Sequence, residues 1–267
     1  MNVVEWTNNV HLNDLVALPR PLYGQRDSLP NIALDYRHQH PWGQLSHALH
    51  GVLQVRTDNA RLVVPPHRAV WIPPGLMHRV ESTSEAVIRS LYIDPSLVLW
   101  PDSECRVIAV DPLLRELIRA FGEMPVEYDL AGADGRLAEV LVDRLRLAEA
   151  LDLILPQPRD PRLRTLCRQA AARPWADIGL GEASRKAGVS EKTFSRLFLK
   201  ETGMTFRTWR QRMRLVSALP ALERGERVTD VALACGYESL SAFSAAFGKL
   251  FGLSPGELTR GGSVTQA

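Results

Sequence analysis

Cysteine is scarce in this chain of 267 residues, and long apolar runs are absent. The three cysteines, Cys105, Cys167 and Cys235, are far apart and odd in number, which excludes a disulfide framework and favours a reducing compartment. No apolar run approaches the ~20 residues of a membrane span, and the first residues lack the pattern of a secretory signal. We therefore expect a cytoplasmic protein with no membrane association.

Histidine and an excess of negative charge are both missing from the C-terminal part. All seven histidines lie between residues 11 and 78. From Arg159 onward the chain carries 18 Lys/Arg and 10 Asp/Glu, whereas the preceding residues carry 14 and 20. A basic segment after an acidic one favours a polyanionic partner such as nucleic acid, although a solvated basic surface is the other interpretation.

Secondary-structure patterns change along the chain. Residues 30–94 alternate short apolar runs with Pro- and Gly-containing turns, which is typical of a β-sandwich or barrel. Helical periodicity follows, and PQPRDP at residues 156–161 is the predicted linker. The sequence predicts an α+β chain with an N-terminal domain over residues 1–155 and an all-α domain over residues 162–267.

A long helix is predicted from about Gly135 to Leu155. Its apolar residues form one stripe: Leu141, Leu145, Ala148, Leu151 and Leu155. Such a stripe can pack on its own domain or pair with a second copy. We expect at least partial use in a homodimer.

The first of two predicted helix-turn-helix units lies in EASRKAGVSEKTFSRLFLKETG. Gly188 makes the turn, Ser190 caps the second helix, and Phe194 and Phe198 face inward. The outward positions could reach phosphates or base edges: Lys192, Ser195, Arg196 and Lys200.

The second unit follows about 48 residues later in VTDVALACGYESLSAFSAAFGKLFG. Thr229 is the predicted cap of its first helix, and Gly236 makes the turn. Small residues face outward and suit close contact with phosphates and thymine methyl groups: Ser239, Ser241 and Ala242. Between the units, a basic helix is expected to end or kink near Leu219 because Pro220 follows.

Residues 161–260 closely resemble the AraC/XylS family of bacterial transcription regulators. The resemblance rests on AGVSEKTFSRLFLKETGMTFRTWRQRMRL and VTDVALACGYESLSAFSAAFGKLFGLSPGEL. It implies double-stranded DNA as the partner, with RNA polymerase as a further candidate. It also assigns most base contacts to Lys192, Ser195 and Arg196. Because Ala245, Gly248 and Leu250 stand where many members carry basic residues, we expect the first unit to dominate DNA affinity.

Four polar residues in the N-terminal half have the spacing of a metal site: His38, His40, Gln44 and His78. Residues two apart in a strand point to the same side, so His38 and His40 can face one point. Imidazole and amide ligands suit Zn, Ni, Mn, Cu or Fe.

HQHPWGQ and PPGLMH resemble the two motifs of the cupin family, a small β-barrel, over about residues 31–94. Gln44 replaces a glutamate of that pattern, which would weaken divalent metal binding. Three interpretations stay open: a metal site, an organic-ligand pocket without metal, and histidines satisfied by hydrogen bonds inside the barrel.

The expected function is a dimeric DNA-binding regulator whose barrel binds a metal or small-molecule effector. The alternative is a metal-dependent cupin enzyme with an accessory DNA-binding domain. The chain has no P-loop, Rossmann glycine pattern or Ser-His-Asp arrangement, so we do not expect an enzyme.

Overall fold

A computed structural model describes residues 15, 17–24, 36–65, 68–82, 87–97, 100 and 104–261. Residues 30–35, 66–67 and 83–86 of the predicted strand region lie outside this described part. The chain divides into two compact units, Met1–Val55 with Val64–Asp152 and Arg56–Val63 with Leu153–Ala267. The α+β prediction is confirmed, because the first unit is built on β-sheet and the second is mainly helical.

The strands, in chain order, are β1 (Leu22–Tyr23), β2 (Gly43–His50), β3 (Leu53–Arg56), β4 (Ala60–Val64), β5 (Arg68–Ile72), β6 (Arg79–Ser82), β7 (Val87–Ile93), β8 (Arg106–Ala109), β9 (Ala150–Leu151) and β10 (Ile154–Pro156). In the N-terminal unit one antiparallel sheet has the order β1-β7-β2-β5-β8-β9. β2 is paired on both sides, with β5 and β7, and carries Gln44 opposite Ile72 and Tyr92. The predicted amide ligand therefore lies on a doubly supported strand.

Two helices, α1 (Pro112–Gly122) and α2 (Ala133–Arg146), pack on this sheet and form the core of the unit with it. α1 begins as its sequence predicts: the Asp111 carboxylate accepts the Leu114 N–H at 2.7 Å, and proline takes the first helical position. Leu141 and Leu145 of α2 are completely buried in the core.

The predicted helix from Gly135 to Leu155 is wrong beyond Arg146, where α2 ends. Leu151 lies in β9, which pairs with β8, and Leu155 lies in β10, which pairs with β4. Apolar residues four apart also fit two short strands separated by a bend, and strand pairing satisfies the backbone there. The residues of the stripe that belong to α2 face the core of their own unit.

The C-terminal unit contains α3 (Pro161–Ala172), α4 (Leu180–Lys186), α5 (Glu191–Thr202), α6 (Phe206–Glu223), α7 (Val228–Ala234), α8 (Leu240–Phe251) and α9 (Pro255–Gly261). α6 connects the helix pair α4–α5 to the pair α7–α8. Its Trp209 is fully buried, and the indole N–H donates to the Pro156 carbonyl at 2.8 Å. This contact anchors the connecting helix within the unit.

Pro220 does not end α6, which continues to Glu223. Of the two predicted outcomes, an end or a kink near Leu219, the end is wrong and the kink stays a prediction. Leu219 and Leu222 are both fully buried in the last turn. Their burial offsets the backbone hydrogen bond that a proline cannot donate. Within the described part of the chain, each helix falls short of the length or the apolar character that a bilayer span requires.

Candidate metal centre and DNA-binding surface

Three histidines meet in the N-terminal unit. His38 and His78 form an antiparallel bridge in which each backbone N–H donates to the other's carbonyl at 2.9 Å. One ring nitrogen from each of His38, His40 and His78 lies within 4.8 Å of the other two, and all three residues are buried. Around a tetrahedral metal with bonds of ~2.1 Å, neighbouring ligand nitrogens lie ~3.4 Å apart. Binding of a metal would therefore draw the three rings closer together.

Each of these imidazoles is oriented by a backbone carbonyl two residues away. The Nδ1 atoms of His38, His40 and His78 lie 3.0, 2.7 and 2.8 Å from the carbonyl oxygens of Tyr36, Trp42 and Leu76. A carbonyl oxygen can only accept, so each Nδ1 carries a proton and donates it. In the neutral ring the Nε2 atom then carries the lone pair, which is the form that binds a metal.

Gln44 lies between two of the free ring nitrogens. Its Oε1 atom is 2.9 Å from His40 Nε2 and 3.2 Å from His78 Nε2, while its Nε2 donates to Ser46 Oγ at 2.9 Å. An acceptor facing two lone pairs is unfavourable without an ion. A half-turn of the amide would place its NH2 group against both rings and let the Ser46 hydroxyl donate to Oε1. The amide can therefore satisfy neutral imidazoles or offer its oxygen to a cation.

Burial favours the neutral form of two of these imidazoles. Desolvation lowers the pKa of His40, and it lowers the pKa of His78 to about 4. His38 Nε2 is buried and has no hydrogen-bond partner among the described residues. A buried lone pair without a partner costs free energy that a bound ion would recover.

A cavity of about 520 Å³ adjoins the triad and is walled by aromatic rings. Trp42 stacks on His40 with ring centres 5.6 Å apart, and Tyr36 packs against His38 at 5.1 Å. The Trp42 indole N–H is buried without a partner among the described residues. Neither aromatic residue belongs to the predicted ligand set, although Trp42 lies inside the HQHPWGQ string.

The first helix-turn-helix unit of the C-terminal unit is formed by α4 and α5. Gly188 has φ +69° in the turn, and the Ser190 hydroxyl accepts the Thr193 N–H at the start of α5. Phe194 and Phe198 are completely buried. The predicted contact residues of this helix are exposed: Lys192, Ser195, Arg196 and Lys200.

The second unit, α7 and α8, repeats this arrangement. Gly236 has φ +76° in the turn, and the Ser239 hydroxyl accepts the Ala242 N–H. Thr229 is not the cap of α7, contrary to prediction, since the helix already begins at Val228 with Arg227 before it. The predicted contact residues Ser239, Ser241 and Ala242 are exposed, and the Ser239 hydroxyl is engaged in capping.

Comparison with known proteins gives two domain matches. Residues 21–145 match the AraC-like ligand binding domain, and residues 183–261 match a helix-turn-helix domain. The chain is 38% identical over 219 residues to the HTH-type transcriptional regulator NimR of Escherichia coli (strain K12), covering 82% of this chain and 80% of NimR. It is 29% identical over 141 residues to the transcriptional activator RhaR of Klebsiella pneumoniae, covering 49% of this chain and 50% of RhaR. The solved structure of ToxT from Vibrio cholerae O395 aligns with 91% of this chain and 96% of ToxT, at a TM-score of 0.40 and 11% identity.

A β-sheet unit of the ligand-binding type, followed by two helix-turn-helix units, defines a DNA-binding transcription regulator with a ligand-binding domain. The chain belongs to the AraC family of these regulators. Its relatives are transcriptional regulators and not enzymes, so the enzymatic alternative is set aside.

Proposed function

We propose that this protein is a sequence-specific regulator whose DNA binding responds to a divalent transition metal, alone or with a small molecule, in the N-terminal unit. The observation that carries the proposal is the convergence of three buried imidazoles on one point. In each ring the Nδ1–H group donates to a backbone carbonyl. Metal-binding histidines are typically oriented by such a hydrogen bond from the ring nitrogen that does not bind the metal. His38, His40 and His78 would hold the ion.

Gln44 would complete the donor set by presenting Oε1. Its distances of 2.9 and 3.2 Å to the two ring nitrogens are close to the ~3.4 Å between neighbouring ligands in a tetrahedral zinc site. Because imidazole and amide groups bind a metal in their neutral forms, a divalent ion would keep its full positive charge in this buried site. That charge favours an anionic small molecule in the adjoining cavity as the second component of the effector.

Metal binding is tested with untagged protein that has been dialysed against a chelator and then mixed with Zn²⁺, Ni²⁺, Mn²⁺, Cu²⁺ or Fe²⁺. We expect one equivalent of at least one metal per chain and a higher melting temperature, since an ion at 100 times its Kd stabilises by ~2.7 kcal/mol. Substoichiometric binding of all five metals would overturn the metal site. Gln39→Ala, at an exposed position between two of the histidines, is the control for His40→Ala.

All three cysteines are buried, and we do not expect them to compete for metal in this experiment. Burial raises the pKa of the Cys105 and Cys167 thiols to about 12, and that of Cys235 to about 11. Thiols bind metals as thiolates, which are rare at neutral pH under these conditions. If His40→Ala still bound the metal, the metal site would therefore lie outside the triad. We would not expect that other site to be a thiol site.

DNA recognition is assigned to α5 and α8, with Lys192, Ser195, Arg196 and Lys200 on the first helix and Ser239, Ser241 and Ala242 on the second. Selection from a random-sequence duplex library should recover a preferred sequence. Binding to that duplex is then compared with metal and with chelator. If the Kd for this duplex were the same with metal and with chelator, the metal would be excluded as the effector. An organic ligand in the cavity would then be the remaining candidate.

A homodimer is part of the proposal. Leu113, Val140 and Leu147 are large apolar side chains on α1, on α2 and directly after α2, and they are 54%, 49% and 74% exposed. A two-fold pairing of this face would bury them. Light scattering should give a dimer for the native chain and a monomer for Val140→Glu/Leu147→Glu. A native monomer at micromolar concentration would contradict this part.

A further inference from the structure

A cleft of about 880 Å³ opens in the C-terminal unit beside the first recognition helix. Ser195, Arg196 and Leu199 of α5 line this cleft, together with Arg207 of α6. Tyr237, from the turn of the second helix-turn-helix unit, also lines it. The cleft therefore extends from one DNA-reading unit to the other along α6.

Two of the arginines in the cleft form hydrogen bonds with other groups of the protein. Arg210 donates to the Ile178 carbonyl and to the Asp177 carboxylate. Arg214 donates to the Pro174 carbonyl at 3.0 Å and to Asp177 at 3.3 Å. The hydrogen bond and charge of Arg210 lower the pKa of Asp177, so the carboxylate stays ionised and both guanidiniums stay in place. Their role is to fix α6 to the segment before α4.

The two other arginines of the cleft have no such partners among the described residues. Arg196 and Arg207 are exposed, and neither makes a hydrogen bond or ion pair with any residue that the structure describes. The four arginines carry four positive charges and Asp177 supplies one negative charge, so the lining of the cleft keeps a net positive charge. The rest of its surface is mainly apolar, with Leu180 and Leu199 partly exposed beside the charges.

We propose that this cleft binds the sugar-phosphate backbone of the DNA strand that runs between the two recognition helices, with Arg207 as its phosphate ligand. This inference rests on the proposed DNA-binding function. A backbone alternates anionic phosphates with apolar deoxyribose, which matches a surface of free guanidiniums and leucine side chains. Because Arg207 is the second residue of the connecting helix and belongs to neither recognition helix, we expect it to contact the backbone and not base edges.

The test compares Arg207→Ala with the native chain on the selected duplex and on a random duplex over a series of salt concentrations. Loss of one phosphate contact should lower the slope of log K against log salt by about 0.9 and weaken both duplexes by the same factor. Arg207→Lys should restore the slope because it restores the charge. Arg168→Ala, at an exposed arginine of α3 outside the cleft, should leave the slope unchanged.

A second measurement locates the phosphate. Duplexes carrying one neutral methylphosphonate at each position in turn should identify a phosphate between the two recognition segments. Its replacement should weaken the native chain but not Arg207→Ala. An unchanged slope for Arg207→Ala, or a fall in its ratio of selected to random affinity, would overturn the inference. Absence of any preferred duplex for the native chain would instead overturn the proposed function.

Discussion

The two helix-turn-helix units share a frame and differ in the surface they present. Each pairs a 7-residue helix with a 12-residue helix. Each long helix begins at a capping serine and ends at a glycine in the left-handed region, Gly203 at φ +71° and Gly252 at φ +70°. The turn before α8 is one residue longer than the turn before α5. A few residue types at fixed positions are enough to build the motif.

Positions 49 residues apart correspond in α5 and α8, as their starts at Glu191 and Leu240 show. Arg196 corresponds to Ala245, and Lys192 corresponds to Ser241, whereas the lysine at position 200 is matched by Lys249. All of these positions are exposed, so the fold does not decide what occupies them. Under the proposed function, we expect this difference to affect DNA recognition and not folding.

The largest expected effect would test the shared frame. Phe198→Ala and Phe247→Ala each remove a fully buried ring from an equivalent place, and each should cost about 3–5 kcal/mol of local stability. Hydrogen exchange of peptides from α5 and α8 measures the two losses in the full chain. If only one of the two substitutions cost less than about 1 kcal/mol of local stability, the two phenylalanines would not be equivalent.

A smaller effect is expected from exchanging the surfaces. Arg196→Ala should reduce discrimination between the selected and random duplexes by about 1–3 kcal/mol, since a base contact is lost. Ala245→Arg should instead tighten binding to both duplexes and steepen the salt dependence by about 0.9. Anisotropy titrations measure both. Native affinity and preference in Arg196→Ala would refute the dominance of the first unit.

The smallest effect concerns the caps. Ser190→Ala and Ser239→Ala should each destabilise their helix by about 1 kcal/mol, because each hydroxyl accepts a backbone N–H of the first turn. Ser241→Ala lies two residues further on, where no such cap is lost, and should change stability by less than about 0.5 kcal/mol. Thermal unfolding followed by circular dichroism provides the comparison. A larger loss for Ser241→Ala than for Ser239→Ala would reverse the roles given to these serines.

Much of the C-terminal unit could be predicted from sequence because the residues that define its turns and caps act locally. Gly188 and Ser190 act through their own backbone geometry, so their pattern predicts the turn and the cap directly. The predicted end of α6 near Pro220 and the predicted helix after Arg146 were wrong because contacts with residues distant in the sequence decide the structure there. Buried leucines carry α6 past its proline, and pairing with β8 and β4 turns the end of the predicted helix into strands.

The candidate metal site was predictable in part. Spacing alone suggested His38, His40, Gln44 and His78 as one group, and the structure places the three imidazoles around one point with the amide beside two of them. The carbonyls that orient the rings could not be predicted, because any residue type can supply a backbone oxygen. The free Arg207 was also invisible, since the sequence does not tell which arginines are held by Asp177.

The exposed face of α5 consists of guanidinium, ammonium, hydroxyl, carboxylate and leucine groups, and no histidine occurs anywhere after residue 78. Histidine is the one side chain whose ordinary titration falls near neutral pH. The DNA-reading half therefore has no proton switch of its own in that range. A change of DNA affinity between mild acidity and neutrality would therefore point to histidines of the N-terminal half and not to α5, so a simple acidity series could follow communication along the chain without an identified effector.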